Sequence, residues 1–153
     1  MLVNFKRLSE VAQAPKFQNE GDVCADLTSV NDYTIPPRSH AVIPTGIAIG
    51  LEAGWEAQIR PRSGLAAKHG ISIVNAPGTI DSGYRGEIKI ILRNNSDTEF
   101  EIHIGDRIAQ IAIRPVPEIE FLEVEELDDT QRGENGFGST GIRSIEQKIK
   151  NSY

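Results

Sequence analysis

Turn-forming steps recur so often along this chain that no long regular element fits between them. Asn31-Asp32, Pro36-Pro37, Asn94-Asn95-Ser96-Asp97 and Gly105-Asp106 are such steps, and eight prolines and 14 glycines interrupt nearly every stretch. Between the turns, apolar residues follow the period of a strand with one buried face. Trp55, Ala57 and Ile59 alternate with Glu56, Gln58 and Arg60; Phe100, Ile102 and Ile104 alternate with Glu99, Glu101 and His103. Ile47 to Leu51 and Ile88 to Leu92 are more continuously apolar, as in strands covered on both sides. Short strands at this spacing predict an all-β fold, an antiparallel sandwich or barrel. One short helix is expected at Ser63 to Lys68, with Ser63 as its cap, Leu65, Ala66 and Ala67 favouring it and Gly70 ending it.

Bulk properties narrow the function classes. At 153 residues, 39% hydrophobic and 25% charged, the chain has single-domain size and enough apolar content for a core, though a modest one that assembly would reinforce. A net charge of −6 gives no bulk attraction to nucleic acid or to anionic membranes, so a phosphate ligand needs a local basic site with metal help. The single cysteine, Cys24, rules out an intrachain disulfide, a zinc cluster and a CxxC redox pair, and fits a reducing compartment. Lys6 and Arg7 interrupt the N-terminus before a signal-type apolar stretch forms, and no run approaches the ~20 apolar residues of a membrane helix. The expectation is a soluble, cytoplasmic protein.

The C-terminal region changes character. Ile119, Phe121, Leu122 and Val124 run through the acidic stretch from Glu118 to Asp129, which reads as a last strand with a solvated face. From Arg132 to Gly141 the chain is rich in glycine and reads as a flexible arm, followed by Ile142, Ile145 and Ile149 at rough helical spacing. The expected division is a β domain over 1–130 and an arm and tail over 131–153.

Five stretches carry candidate chemistry, and each has an ordinary structural reading beside it. Asp26, within Gly21-Asp22-Val23-Cys24-Ala25-Asp26-Leu27, is a possible ligand or simply a turn or cap residue. Arg60-Pro61-Arg62-Ser63-Gly64 places two arginines, a hydroxyl and unpaired N–H groups at a helix N-terminus, which suits a phosphate; the alternative is a capped helix with surface arginines. In Asn75-Ala76-Pro77-Gly78-Thr79-Ile80-Asp81-Ser82-Gly83-Tyr84, the Pro-Gly and Asp-Ser-Gly steps predict a sharply bent strand pair. A backbone edge and the Asn75 amide there can bond a flat heterocycle, Tyr84 can pack on a sugar, and Asp81 is a candidate partly desolvated base, unless it merely bonds its own backbone. Gln110, in Gly105-Asp106-Arg107-Ile108-Ala109-Gln110, stands where an apolar strand residue is expected and needs polar partners, from a ligand or from the fold. Arg132 to Gly141 offers Ser139 and Thr140 as donors to phosphate, Arg132 as a charge and Phe137 to stack on a base; the alternative is a linker.

In this order and spacing the five stretches resemble the signature motifs of the trimeric dUTPase family, across nearly the whole chain. PRSGLAAKHG, NAPGTIDSGYRGE, GDRIAQ and RGENGFGSTG carry the match. The resemblance implies a jelly-roll-like β-barrel, a homotrimer whose active sites draw on all three subunits, and Mg²⁺-dependent hydrolysis of dUTP to dUMP and diphosphate. It casts Asp81 as the base that activates water against the α-phosphorus. Asn75, Thr79, Ile80 and Lys89 would hold uracil and deoxyribose, with Tyr84 under the sugar. Arg62, Ser63, Gly64 and Gln110 would hold the phosphates, and Asp26 would act on Mg²⁺ through water. Arg132, Phe137, Gly138, Ser139 and Thr140 would form the closing arm. The chain departs from the family at Cys24 and Asn135, where glycine is usual. A dCTP deaminase on the same fold would need a catalytic Glu where this chain has Ile91. A non-catalytic nucleotide-binding regulator is the other alternative. Direct nucleic-acid and membrane partners are not expected.

Overall fold

The computed structural model describes residues 1–136. Two units divide the chain, Met1–Glu118 and a second beginning at Ile119. The first holds all the regular structure found among the described residues. Its elements in chain order are β1 (Asn4–Arg7), β2 (Ala25–Thr28), β3 (Tyr33–Ile35), β4 (His40–Pro44), β5 (Ile47–Gly50), β6 (Trp55–Arg60), α1 (Ser63–His69), β7 (Ile71–Ile73), β8 (Gly78–Ile80), β9 (Lys89–Asn94), β10 (Phe100–Ile102) and β11 (Arg107–Pro115). All pairings are antiparallel. They form a four-stranded sheet in the order β2-β11-β6-β8, a three-stranded sheet β4-β9-β7, and the pairs β1-β5 and β3-β10. Among the described residues the fold is mostly β with one short helix, and no sheet closes into a barrel.

Isoleucine dominates the core. Ile35, Ile43, Ile47, Ile71, Ile88, Ile90, Ile102 and Ile108 are almost fully buried, with Leu27 and Leu92. β-Branched side chains lose little freedom on a pleated strand and pack well across it, and each contributes roughly 1.5–3 kcal/mol on burial. The expected alternation along Trp55–Arg60 holds at Ala57 and Ile59, which are buried while their polar neighbours are half-buried. A buried polar clasp ties the sheets together. Asn94, with no exposed surface, donates to the carbonyls of Ile35 (3.0 Å), Pro36 (3.2 Å) and Thr98 (2.7 Å). Its own carbonyl accepts from Ser96 N (3.0 Å) and Ser96 Oγ (2.7 Å).

The structure corrects several expectations. Ile104 does not continue β10; it lies exposed in the turn that Gly105, at φ 89, closes. The stretch from Glu118 to Asp129 forms no strand, and Phe121 and Leu122 are almost fully exposed. It pairs with no strand among the described residues, and hydrogen bonding to a partner is what makes an extended segment a strand. Ser63 is the first helical residue and not the cap. The cap position falls on Arg62, which makes no capping side-chain bond, and the helix runs one residue further than expected, to His69. Gly70 ends it with a left-handed φ of 66, its N–H meeting the carbonyls of Ala66 and Leu65. The segment from Asn75 to Glu87 is not a paired hairpin: β8 joins β6, whereas β9 joins β4 and β7 in another sheet.

Replacing Asn94 with alanine takes a donor from three carbonyls at once, the buried one of Ile35 and those of Pro36 and Thr98. Urea unfolding of Asn94→Ala should show a loss of about 2–4 kcal/mol; an unchanged midpoint would show that the clasp contributes nothing.

Candidate active site

Strand β2 is buried along its whole length, yet it carries a carboxylate. Pairing explains the arrangement. Paired residues share a sheet face, so Ala25, Leu27, Ala109, Ile111, Ile113, Ala57, Ile59 and Ile80 point to the core. The same register puts Asp26, Gln110 and Arg60 in a row on the opposite face. Asp26 is only 4% exposed. Burying an ionised carboxylate is costly unless charged donors surround it, and here they do. Arg62 Nε lies 3.3 Å from Oδ1, Arg107 Nη1 lies 3.1 Å from Oδ2, and Gln110 Nε2 donates to Oδ1 at 3.2 Å. Arg62 Nη1 donates in addition to the carbonyl of Arg107 at 3.0 Å.

This cluster forms one wall of a polar hollow of about 380 Å³, lined also by Gln18, Asn19, Asp22 and Cys24. Asp22 accepts from the backbone N–H of Gln18 (3.1 Å) and Asn19 (2.8 Å). Cys24, where glycine was expected, has no left-handed backbone and is half-buried, so the substitution introduces no strain there. Three separated sequence stretches thus converge. Asp26 is neither turn nor cap, Arg62 is not a free surface arginine, and Gln110 finds its partner in Asp26. Ser63 and Gly64 follow Arg62 in the first turn of α1, both exposed. Arg107 was not among the residues singled out from sequence. The signal that would have found it is a β-bulge, which no local sequence pattern announced.

The remaining candidates lie elsewhere. β8 is the edge strand of its sheet, so one side of its backbone has no strand partner among the described residues. Thr79 on it is exposed and Ile80 half-buried. Asn75 folds over Gly78, where an added Cβ would lie 3.3 Å from its Nδ2 and 3.4 Å from Ile59 Cβ. Asp81 follows β8 directly and is exposed, not partly desolvated as expected, because nothing among the described residues covers it. The turn there is closed by backbone, Tyr84 N donating to Asp81 O at 3.1 Å, which leaves the Asp81 carboxylate unengaged among the described residues. It borders a hollow of about 590 Å³ with Trp55, Glu56, Ser82, Val116 and Pro117. The Tyr84 hydroxyl donates to Glu87 O at 3.0 Å and its ring fills the space beside Gly86, so its position is fixed while 44% of its surface stays open. Lys89, at the start of β9, pairs with Glu87 at 3.6 Å. Arg132 donates to Asn135 O at 3.1 Å within a local turn in which Gly133, not Asn135, takes the left-handed backbone. Phe137, Gly138, Ser139 and Thr140, with the rest of the expected arm and tail, lie outside the described residues.

Asp81 and Asp26 do not meet within one chain. They sit at opposite edges of the four-stranded sheet, Asp81 continuing the register beside Glu56 and Asp26 aligned through Gln110 with Arg60. Three strand spacings across and four residues along place them on the order of 20 Å apart.

Comparison with known proteins follows these features. A sequence model of the dUTPase family matches residues 10–141. A deoxyuridine 5'-triphosphate nucleotidohydrolase of Nautilia profundicola is 52% identical over 141 residues, covering 92% of this chain and 99% of the relative. The dUTPase of Staphylococcus bacteriophage 80alpha, solved with dUpNHpp, superimposes with a TM-score of 0.86 at 28% identity, over 92% of this chain and 99% of the other. A dUTPase from phage phi11 of S. aureus, whose structure concerns the coordination of a structural Mg(II) ion, gives 0.78 at 26% identity, over 84% and 100%. This chain belongs to the dUTPase family. It is a dUTP diphosphatase, an enzyme that hydrolyses dUTP.

Removing the shared acceptor tests the cluster. Asp26→Ala leaves two arginines facing each other without a counter-charge, moderated because both are partly solvated. Urea unfolding of the ligand-free protein should show a loss of about 1–3 kcal/mol; stability equal to wild type would mean the carboxylate does not organise this wall.

Proposed function

We propose that the enzyme cleaves dUTP to dUMP and diphosphate in a site assembled from more than one copy of the chain. The observation that carries this reading is the separation of Asp81 from the Asp26–Arg62–Arg107–Gln110 cluster, about 20 Å by strand spacing. One nucleotide cannot place its α-phosphorus beside Asp81 and its phosphates on that cluster within a single chain at that distance. A homotrimer with jelly-roll subunits, as the family resemblance implies, brings the two halves together from neighbours. Exposed apolar surface supports association: Val3, Phe5, Pro15, Phe17, Val23 and Trp55 line a hollow of about 550 Å³, and Phe17 and Val23 are 57% and 69% exposed.

In this reading Arg62, Ser63, Gly64 and Gln110 hold the phosphates, and the edge of β8 with Asn75, Thr79, Ile80 and Lys89 holds uracil and deoxyribose. A fixed backbone donor facing the uracil carbonyl would face an amino donor on cytosine, which rejects that base. Tyr84, immobilised by Glu87, packs beneath the sugar. Asp81 takes a proton from water as its oxygen attacks the α-phosphorus. The bond from that phosphorus to the bridging oxygen breaks, and diphosphate leaves. Arg132, Phe137, Gly138, Ser139 and Thr140 are assigned to closing over the bound nucleotide. Mg²⁺ neutralises triphosphate charge in such a reaction. The donor set fits an ion that arrives with the nucleotide: Asp26 offers a single carboxylate with both oxygens engaged, and no cluster of three or more acidic, histidine or cysteine side chains occurs among the described residues. Asp26 would act on the ion through water. The cellular role proposed is to limit uracil incorporation into DNA and to supply dUMP for dTMP synthesis, in the cytoplasm. Ile91, half-buried in β9, exchanges no protons, which disfavours deamination.

The deciding experiment incubates the purified protein with Mg²⁺ and dUTP, dCTP, dTTP or UTP and identifies the products. Conversion of dUTP alone to dUMP and diphosphate, stopped by EDTA, is expected. Release of ammonia would favour a deaminase, and tight dUTP binding without turnover a regulator. Asp81→Asn should lower kcat by about 10²–10⁴ while dUTP affinity stays within a few-fold; normal turnover would remove Asp81 as the base. Mixing Asp81→Asn with Asp26→Asn subunits after exchange should restore activity, since about one site in three of each mixed trimer then has both residues intact. No recovery would place the whole site within one chain.

A further inference from the structure

Strand β11 reaches the phosphate side of the site through an irregularity. Gln110 pairs with Asp26 and Ala109 with Leu27, but the next pair is Arg107 with Thr28, so Ile108 is an extra residue on β11. In an unbroken strand, residues three apart point to opposite faces. The bulge brings Arg107 onto the face of Gln110 and Asp26, with its side chain 45% exposed toward the hollow. A bulge also takes backbone groups out of the ladder, and it is the Arg107 carbonyl that accepts Arg62 Nη1 at 3.0 Å. The turn ahead of the bulge is pinned to the end of β2: Ser29 N donates to Asp106 O at 2.9 Å and Gly105 N to Ser29 O at 2.8 Å.

We propose that Arg107 is a positioning residue for the triphosphate, holding Asp26 with its side chain and Arg62 with its carbonyl. The inference rests on the reading of this hollow as the phosphate subsite. Three contacts close a ring: Arg62 Nε to Asp26 Oδ1, Asp26 Oδ2 to Arg107 Nη1, and the Arg107 carbonyl to Arg62 Nη1. A guanidinium is planar and rigid, so fixing two of its nitrogens fixes the direction of the third. Arg62 Nη2 is that third nitrogen, with no partner among the described residues, on a side chain that lines the hollow. Asp26 meanwhile keeps two arginines at close quarters without mutual repulsion. An incoming phosphate meets a donor already aimed, and little ordering is left to offset on binding.

The test compares full-length wild type with Arg107→Ala, Arg107→Lys and Arg62→Ala. Calorimetry measures the affinity for dUpNHpp, and NMR titration the affinity for deoxyuridine, which carries no phosphate. Arg107→Ala should weaken dUpNHpp about tenfold and leave deoxyuridine within about twofold. Arg107→Lys should recover most of the loss, because an ammonium can replace the single Nη1 contact to Asp26. Equal loss of both ligands, no loss of either, or a lysine variant no better than alanine would overturn the assignment. If Arg107→Ala does not fold, Arg107→Gln takes its place with the same expectations. Arg62→Ala separates the two levels of inference: if it leaves dUpNHpp binding intact, the phosphate subsite itself is misplaced. If it weakens binding and Arg107→Ala does not, only the role of Arg107 falls.

Discussion

A carboxylate buried on a strand has to be met by donors, and that requirement organises this molecule. Asp26 shows only 4% of its surface, and the three side chains that satisfy it come from the start of the helix and from β11. Each donor is therefore fixed in place by a need of the fold before any nucleotide arrives. The cost of burying the charge is offset locally, and the by-product is a wall of positive groups in a chain whose net charge is −6. An acidic protein can bind a polyanion when its few cations are gathered in this way.

The rest of the first unit serves to hold that wall. The isoleucine core fixes the sheets, the Asn94 clasp ties β9 to the loop after β3, and the alternation along β2, β11, β6 and β8 separates an apolar face from a polar one. Asp81, the base in the proposed reading, stands at the other edge of the same sheet. Distance within one sheet thereby becomes an argument about assembly.

Much of this was legible in the sequence, and the misses have physical reasons. Period-two alternation located Ala57, Ile59 and Ile102 in the core, because strand geometry acts residue by residue. Gly70 ended the helix as expected, since few residues other than glycine take its left-handed backbone. Motif order and spacing identified the family and brought forward Asp26, Arg62 and Gln110, which the fold gathers around one carboxylate. What escaped was non-local. Arg107 depends on a bulge defined only against β2. Phe121 and Leu122 fit a strand pattern but have no partner strand among the described residues, so apolar periodicity there did not become structure. Ser63 was expected to cap the helix from its residue type alone; the backbone instead turns helical at Ser63 itself, because the extended residue is Arg62.

The free edge of β8 has a consequence for how such an enzyme can change over generations. If the base is read by main-chain donors and acceptors, as proposed, the discriminating atoms are the same whatever side chains Thr79 and Ile80 carry. Point substitutions on that strand alter fit and stability but leave the pattern of read-out in place. Changing the preferred base would require moving the strand by one residue against β6, which would also turn Ile80 out of the core. On that reading, drift in the genetic text is insulated from drift in selectivity, because the heritable letters specify side chains and the recognition would be done by the part of the polymer they share.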